Sequence, residues 1–283
     1  MKYKKIIFLF AIFMPVSVLL RLIQFSFTID YSTGFYIKEF EVNGEAMFWV
    51  ILGLCFAPAV FALFSHRSPE HPPKPTLTIS IASFLAAASV IFEMMFEEFS
   101  AAVMGWQILA VKLVGIASAV FFIFFGAQRF INFSLPRIFT ALPTVYFILR
   151  TICDFTSISS LALISENLLL MLSYCAVLIF MLQFTKLYNG LDSERGFRKL
   201  LSSGLLSISL CATSTIPHFV FKIITGYSFM HTSVAANVNL FFIGLFIAVF
   251  IFSHFSFSNS CTEAKTHTST LAEKFTNIWK KFK

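Results

Sequence analysis

The stretch TLTISIASFLAAASVIFEMM, residues 76–95, contains one charged side chain, Glu93, in twenty residues. As an α-helix it would be about 30 Å long. The hydrocarbon core of a bilayer is also about 30 Å thick. The stretch therefore predicts a helix that crosses a membrane and carries a carboxyl group near its end.

The composition of the whole chain points the same way. Of its 283 residues, 58% are hydrophobic and 12% are charged, and 39 are Phe. A soluble domain carries about 25% charged residues, so this chain has too little polar surface to cover a water-soluble globule. The composition predicts a membrane protein whose main partner is the lipid bilayer.

Seven further segments combine sufficient length with low charge, so we predict eight spans in all. A count of seven stays open if the fifth or the seventh segment is re-entrant. Basic residues precede the first span, as they do in a signal peptide. No small-residue cleavage site follows it, so we expect this segment to remain as an uncleaved membrane span. The predicted fold is an all-α polytopic membrane helix bundle over residues 1–255, with spans at residues 6–25, 47–64, 76–95, 101–125, 137–155, 160–184, 200–217 and 235–255.

The basic residues test this count independently. If the N-terminus faces the cytoplasm, 16 of the 21 Lys and Arg residues fall on the cytoplasmic side. Loops rich in Lys and Arg stay in the cytoplasm, and a missed span would reverse the side of every later loop. The charges therefore predict an even number of spans with both termini cytoplasmic.

Neither the net charge of +7 nor the five Cys residues indicates a further ligand. The basic residues recur between apolar runs rather than in one patch, so we expect no nucleic-acid partner. The Cys residues are scattered and lack C-x-x-C spacing. We expect no metal and no cofactor.

The cytoplasmic tail, residues 256–283, has an amphipathic pattern near its end. Lys side chains lie between apolar residues that recur at helical spacing, which is typical of a helix lying on the membrane surface. We predict an interfacial helix that binds anionic lipid. Its apolar residues are Leu271, Phe275, Ile278, Trp279 and Phe282.

Ionisable residues inside the spans are the candidate functional residues, because a charge at the bilayer centre costs about 2.5–3.5 kcal/mol on insertion scales. Lys112 would lie about 16–18 Å below the outer surface if the fourth span begins at residue 101. Its predicted partner is Glu166, which stands beside Asn167 in the sixth span. Arg150 and Asp154 are spaced i,i+4 and can pair on one helix face.

The predicted topology gathers these residues, together with Glu93, Arg21 and His218, in the outer half of the membrane. This placement predicts a polar cavity open to the outside, which would be a pathway for a small solute or ion. The alternative is that each residue forms a structural ion pair or lies in the headgroup layer.

Three classes of function stay open. A small-solute transporter or permease is the leading hypothesis, because charges within the spans are typical of transporters, and the short loops favour transport or interaction over an enzyme. A membrane sensor or a scaffold for a protein partner is the alternative. An intramembrane hydrolase comes third: Glu97 and Glu98 are similar to the paired glutamates of CAAX-type proteases, but Ala102 stands where that motif needs Arg. We assign no catalytic residues.

The first outer loop follows the stretch RLIQFSFTIDYSTGFY, residues 21–36. Asp30 and Gly34 fit a turn, while Phe35 and Tyr36 suit the aromatic belt at the membrane surface. Residues 34–44 alternate apolar and polar side chains up to an Asn-Gly pair, which predicts a short hairpin. The segment is a candidate lid over the outer mouth, or else an anchor among the headgroups.

This stretch also resembles a segment of uncharacterised multi-spanning membrane proteins of clostridial-type Firmicutes. The likeness covers 16 residues and departs from the family pattern at Tyr31, where Pro is common. The resemblance implies a plasma-membrane protein of a Gram-positive bacterium, and it implies no activity. The matching residues are Arg21, Gln24, Ile29, Asp30, Thr33, Gly34, Phe35 and Tyr36.

Overall fold

The computed structural model describes residues 3–30, 36–64, 76–97, 103–131, 136–158, 165–191, 196–225 and 233–253. These residues form eight helices long and apolar enough to cross a membrane, so the chain is a multi-pass integral membrane protein. The predicted all-α bundle is confirmed. The helices are α1 (Tyr3–Phe27), α2 (Glu41–Leu63), α3 (Leu77–Phe96), α4 (Gly105–Ala127), α5 (Leu142–Ile158), α6 (Ser165–Tyr188), α7 (Gly196–Thr225) and α8 (Val234–Ser253).

Helices α7 and α8 are the most buried of the eight. Helix α7 packs against α1, α2 and α6. Side chains of α8 contact α1 through Phe252, α3 through Asn239, and α4 through Phe246. The surface around the bundle carries large exposed apolar side chains such as Phe8 and Trp49. A membrane supplies the solvent that such a surface needs.

Helix α7 can take this central position because its buried face is made of small residues. Its hydroxyl groups donate to carbonyl oxygens of their own helix, as Ser207 does to Ser203 at 2.7 Å. Ser202 instead reaches the carbonyl oxygen of Ala59 in α2, also at 2.7 Å. Small residues let membrane helices approach closely, so α7 can contact α1, α2, α6 and α8 along its length.

The hairpin after the first span differs in position from the one expected. An antiparallel bridge joins Ile29 to Tyr36, and the Ile37 amide donates to the Thr28 carbonyl oxygen at 2.9 Å. The alternation over residues 34–44, which predicted the hairpin arms, belongs instead to a 3₁₀ turn and the first turn of α2. The Asn-Gly pair lies within that helix, where tertiary packing overrides its turn preference.

The prolines of the helices lie at two kinds of position. Pro143 is the second residue of α5, after a 3₁₀ turn at Arg137–Ala141. In the first turn of a helix a proline breaks no hydrogen bond. Pro15, Pro58 and Pro217 do lie inside helices α1, α2 and α7.

The two ends of the bundle have different cores. At the end where α4, α6 and α8 finish, Phe rings interlock, with Phe122 to Phe246 and Phe184 to Phe250 at centroid separations of 5.2 Å. The opposite end holds the buried charges described below. The positive-inside pattern assigns the aromatic end to the cytoplasmic side. Residues 256–283, predicted to carry the interfacial helix, lie outside the described part of the chain.

Candidate functional site: two buried charged clusters

The first cluster, called here the Arg150 cluster, joins α3 to α5. It consists of Glu93 and Glu97 of α3 with Arg150 and Asp154 of α5. The guanidinium approaches all three carboxylates: Nε lies 2.9 Å from Glu93 Oε1, Nη2 lies 2.7 Å from Glu97 Oε1, and Nη1 lies 3.4 Å from Asp154 Oδ1. Only 2% of the arginine side chain is exposed. The predicted i,i+4 contact of Arg150 with Asp154 is confirmed.

Glu93 is the best-satisfied carboxylate of the Arg150 cluster. It accepts hydrogen bonds from the hydroxyl groups of Tyr146 at 2.5 Å and Tyr174 at 2.8 Å, and from the side-chain amide of Asn239. The Tyr174 ring also lies 5.3 Å from the guanidinium carbon of Arg150. Donors from α5, α6 and α8 thus surround one residue of α3, which compensates for the loss of water around its charge.

Glu97 lies at the beginning of α8. Ser233 precedes that helix and donates its hydroxyl to Glu97 Oε2. The Ser233 hydroxyl oxygen also accepts from the Ala236 amide at 3.3 Å, so it caps the helix. The N-terminal end of a helix carries partial positive charge, which favours an ionised carboxylate at Glu97.

The Arg150 cluster is not balanced in charge. One arginine faces three carboxylates, which leaves two formal negative charges in excess. Asp154 has the weakest contacts of the three, since its Oδ2 atom is buried and has no hydrogen-bond partner. The described residues of the four helices around it supply no second cation at the cluster.

The second cluster, called here the Arg21 cluster, joins α1, α6 and α7. Arg21 of α1 donates to Gln24 of the same helix and to Glu166 of α6. Glu166 Oε2 lies 2.6 Å from Nε2 of His218 on α7. The arginine side chain is fully buried, and its guanidinium lies 4.9 Å from the Phe25 ring centroid. This cluster therefore has one cation, one anion and one titratable imidazole.

The first outer loop reaches the Arg21 cluster through Tyr36. Its hydroxyl accepts from the Gln24 amide at 3.0 Å, and the same amide group donates to the Gly44 carbonyl oxygen at 2.7 Å. A lid should make such contacts with the charges below it, whereas a headgroup anchor need not. Asp30 is half-buried beside the bridge. The other lid candidates, Gly34 and Phe35, lie outside the described residues.

A smaller polar group continues from the Arg21 cluster toward the middle of the bundle. One turn below Arg21, the hydroxyl of Ser17 lies 3.0 Å from that of Thr213 on α7. The Cys55 sulfur of α2 lies 3.6 Å from the same threonine oxygen. Polar contacts therefore follow the α1–α2–α7 interface below the charges.

Lys112 was placed incorrectly by the sequence pattern. Helix α4 begins at Gly105 rather than residue 101, so Lys112 is about 10 Å from the outer helix end and not at the midplane. Its predicted partner, Glu166, pairs with Arg21 and His218 instead. No described residue forms an ion pair with Lys112. Helical side chains point toward the N-terminus, so this half-buried lysine can extend to the outer surface.

The remaining predictions concern polar residues near the clusters. Asn167 is buried beside Glu166, but no hydrogen bond joins its side chain to either cluster in the described part of the chain. The sequence reasoning missed Tyr146, Tyr174 and Asn239 as members of the site. A signal for them was present, because each places a polar group inside an apolar span, where an unsatisfied group is costly.

Among the described residues, no group of three or more His, Cys, Asp or Glu is placed to hold a metal ion.

No protein-family model, curated protein or solved structure matches the chain. The class of protein therefore follows from the fold and the site. It is a multi-pass integral membrane protein of eight helices, with two buried charged clusters at one end of the bundle.

Proposed function

We propose that this protein is a small-solute transporter of the permease kind, with the two clusters on the outer side of its pathway. The observation that carries the proposal is the burial of both clusters at one end of the bundle, between helices that come from distant parts of the sequence. Ionisable residues within membrane spans are rare, and they mark pathways for ions and substrates.

A purely structural role explains the clusters less well. Burying an ion pair costs several kcal/mol per ion in desolvation, and apolar residues of similar volume often stabilise a protein as well or better. The Arg150 cluster is a costly design for stability alone, since it contains more acids than bases. A chain that needed only packing at this position would be served by Leu and Phe, as it is at the aromatic end.

The arrangement of the bundle supports a pathway that is polar on the outside and closed on the inside. Charges occupy the outer half of the helices, and packed Phe rings such as Phe125 and Phe184, at 5.6 Å, fill the inner half. The first loop reaches the Arg21 cluster and is suited to act as a lid. In a transporter of the plasma membrane, which the resemblance of residues 21–36 favours, substrate would enter past this loop.

Uptake into liposomes tests the proposal. The purified protein is reconstituted with phosphatidylethanolamine and phosphatidylglycerol, and radiolabelled amino acids, sugars, nucleosides and small organic anions are supplied in turn. We expect at least one class to accumulate faster than in protein-free liposomes when the outside is acidic. Uptake should fall to the protein-free rate in Glu93→Gln and in Glu166→Gln.

A matched control separates these effects from the loss of any carboxylate. Glu45 is an exposed residue near the beginning of α2, and Glu45→Gln should leave uptake unchanged. Absence of uptake for every class, with a protein partner retained stoichiometrically through purification, would instead favour the sensor or scaffold function.

A further inference from the structure

The Arg150 cluster contains more negative charge than its surroundings can neutralise. Its single guanidinium is shared among three carboxylates whose side chains are at most 12% exposed. In an interior of low dielectric, an uncompensated charge is more costly than binding of a neutralising ligand. No group of three or more His, Cys, Asp or Glu in the described part of the chain is placed to hold a metal ion, whereas a proton needs only one carboxylate.

The hydrogen bonds indicate which carboxylate holds that proton. Glu93 accepts three hydrogen bonds, from Tyr146, Tyr174 and Asn239, and its Oε1 lies 2.9 Å from Nε of Arg150. An ionised carboxylate can accept from all of these groups. A protonated one would carry an O–H group that points at one of the donors, and that hydrogen bond would be lost. Glu93 is therefore the anion that pairs with Arg150.

Glu97 is also better suited to the ionised form. Arg150 and Ser233 donate to its two oxygens, and the start of α8 adds partial positive charge. Asp154 has neither advantage. It lies four residues before the end of α5, where the helix dipole is negative, and its one contact with Arg150 is long at 3.4 Å.

From this comparison we propose that the cluster binds one exchangeable proton on Asp154 Oδ2, taken from the outer aqueous side. Oδ2 is buried and accepts no hydrogen bond from the described residues. A proton can therefore bind to this oxygen without displacing a donor. The residue lies about 6 Å from the outer end of α5, which gives a short route for the proton. The titratable or charged groups around it are Arg150 and Cys153 of α5, Glu93 and Glu97 of α3, Tyr146 of α5, and Tyr174 and Cys175 of α6.

A role for Asp154 as the site that couples proton movement to solute movement rests on the proposed function. The bound proton would lower the excess negative charge of the Arg150 cluster from two to one in one state and would be released in another, so that solute movement follows the proton gradient. Protonation of Asp154 by itself requires no transported solute. It can therefore hold even if the protein transports nothing.

Infrared difference spectroscopy measures the proton directly. The C=O stretch of a protonated carboxyl group is separate from the bands of a carboxylate. With the purified protein in phosphatidylglycerol-containing nanodiscs, we expect one such band near neutral pH, lost on raising the pH. It should vanish in Asp154→Asn and persist in the exposed-site control Glu45→Gln. In Glu97→Gln it should be lost at a lower pH than in the wild type, because the cluster then has one negative charge less.

Two results would overturn the assignment. The first is a wild-type spectrum without a protonated carboxyl band near neutral pH, which needs no variant and so cannot be confused with misfolding. The second is a band that survives in folded Asp154→Asn. Asp154→Glu should restore the band and provides the check if the asparagine variant folds poorly.

Discussion

At the scale of single residues, the choice of arginine at position 150 is explained by geometry. The guanidinium presents Nε and both terminal nitrogens to three different carboxylates, on α3 and on its own helix. A lysine ammonium is a compact charge on a flexible stem, and it cannot reproduce this planar fork. The residue thus ties two helices together in a way that charge alone would not.

Replacing Arg150 by Lys should therefore destabilise the protein despite keeping the charge. Breaking a buried pair by removing one partner costs about 3–5 kcal/mol, and we expect Arg150→Gln to approach that loss and Arg150→Lys to lose a large part of it. Thermal unfolding in detergent measures both. A lysine variant as stable as the wild type would show that the fork geometry is unimportant.

Lys112 should respond in the opposite way. The structure gives it no ion pair within the described residues, and it lies on the outer part of α4, half-buried. Changing Lys112 to Leu removes a charge from an apolar setting and leaves no partner uncompensated, so stability should stay the same or rise. A large fall in the unfolding temperature of Lys112→Leu would indicate a buried partner for this lysine.

At the scale of helices, the close approach of α7 and α8 positions Asn239 and Ser233 at the Arg150 cluster. Gly244 of α8 allows this contact, since a Cβ atom there would lie 2.9 Å from the Cβ of Cys211 on α7. Two carbon atoms at that distance repel each other, so one helix would have to shift. The position of α8 then determines whether Asn239 can still reach Glu93.

Gly244→Ala should lower the free energy of unfolding by about 1–3 kcal/mol, the range for overpacking a close-packed interior. Gly53→Ala is the matched control, because no atom lies within 4 Å of a Cβ built at Gly53. That control should be neutral or slightly stabilising, since Ala favours helix more than Gly does. Thermal unfolding of the pair gives the comparison, and equal effects at both sites would contradict the packing account.

Element by element, hydropathy predicted how many helices there are better than it predicted where they begin. Helix α2 starts at Glu41 rather than at residue 47 because its first turn is polar and lies at the membrane surface, which a hydropathy window does not detect. Helix α7 continues through Pro217 to Thr225, as neighbouring helices can satisfy the freed carbonyl groups. Composition determines the spans, whereas their ends depend on contacts that are not local in sequence.

At the scale of the whole molecule, the sequence could name the charged residues and the pair within α5, Arg150 with Asp154, but not the partners on other helices. The cost of burying charge identified Arg21, Glu93, Arg150 and Glu166 correctly as buried side chains. The pairing of Glu166 with Arg21 rather than Lys112 depends on how α1, α4, α6 and α7 are rotated and arranged. Those rotations follow from side-chain packing between distant segments, which span prediction does not include.

The two ends of the bundle differ in chemistry. Charges are concentrated in the outer half, aromatic rings fill the inner half, and an excess carboxyl group is available at Asp154 for a proton. If solute transport uses this arrangement, then movement of solute and movement of protons must be linked through the Arg150 cluster. An account in which the clusters only hold helices together predicts no such link.

The most direct test is the proton movement that accompanies solute entry into proteoliposomes containing a trapped pH-sensitive dye. The account predicts that adding a transported solute outside acidifies the interior with the wild type and with Glu45→Gln, and that this acidification is absent with Asp154→Asn. Solute entry without acidification in the wild type, or acidification that persists in Asp154→Asn, would contradict it.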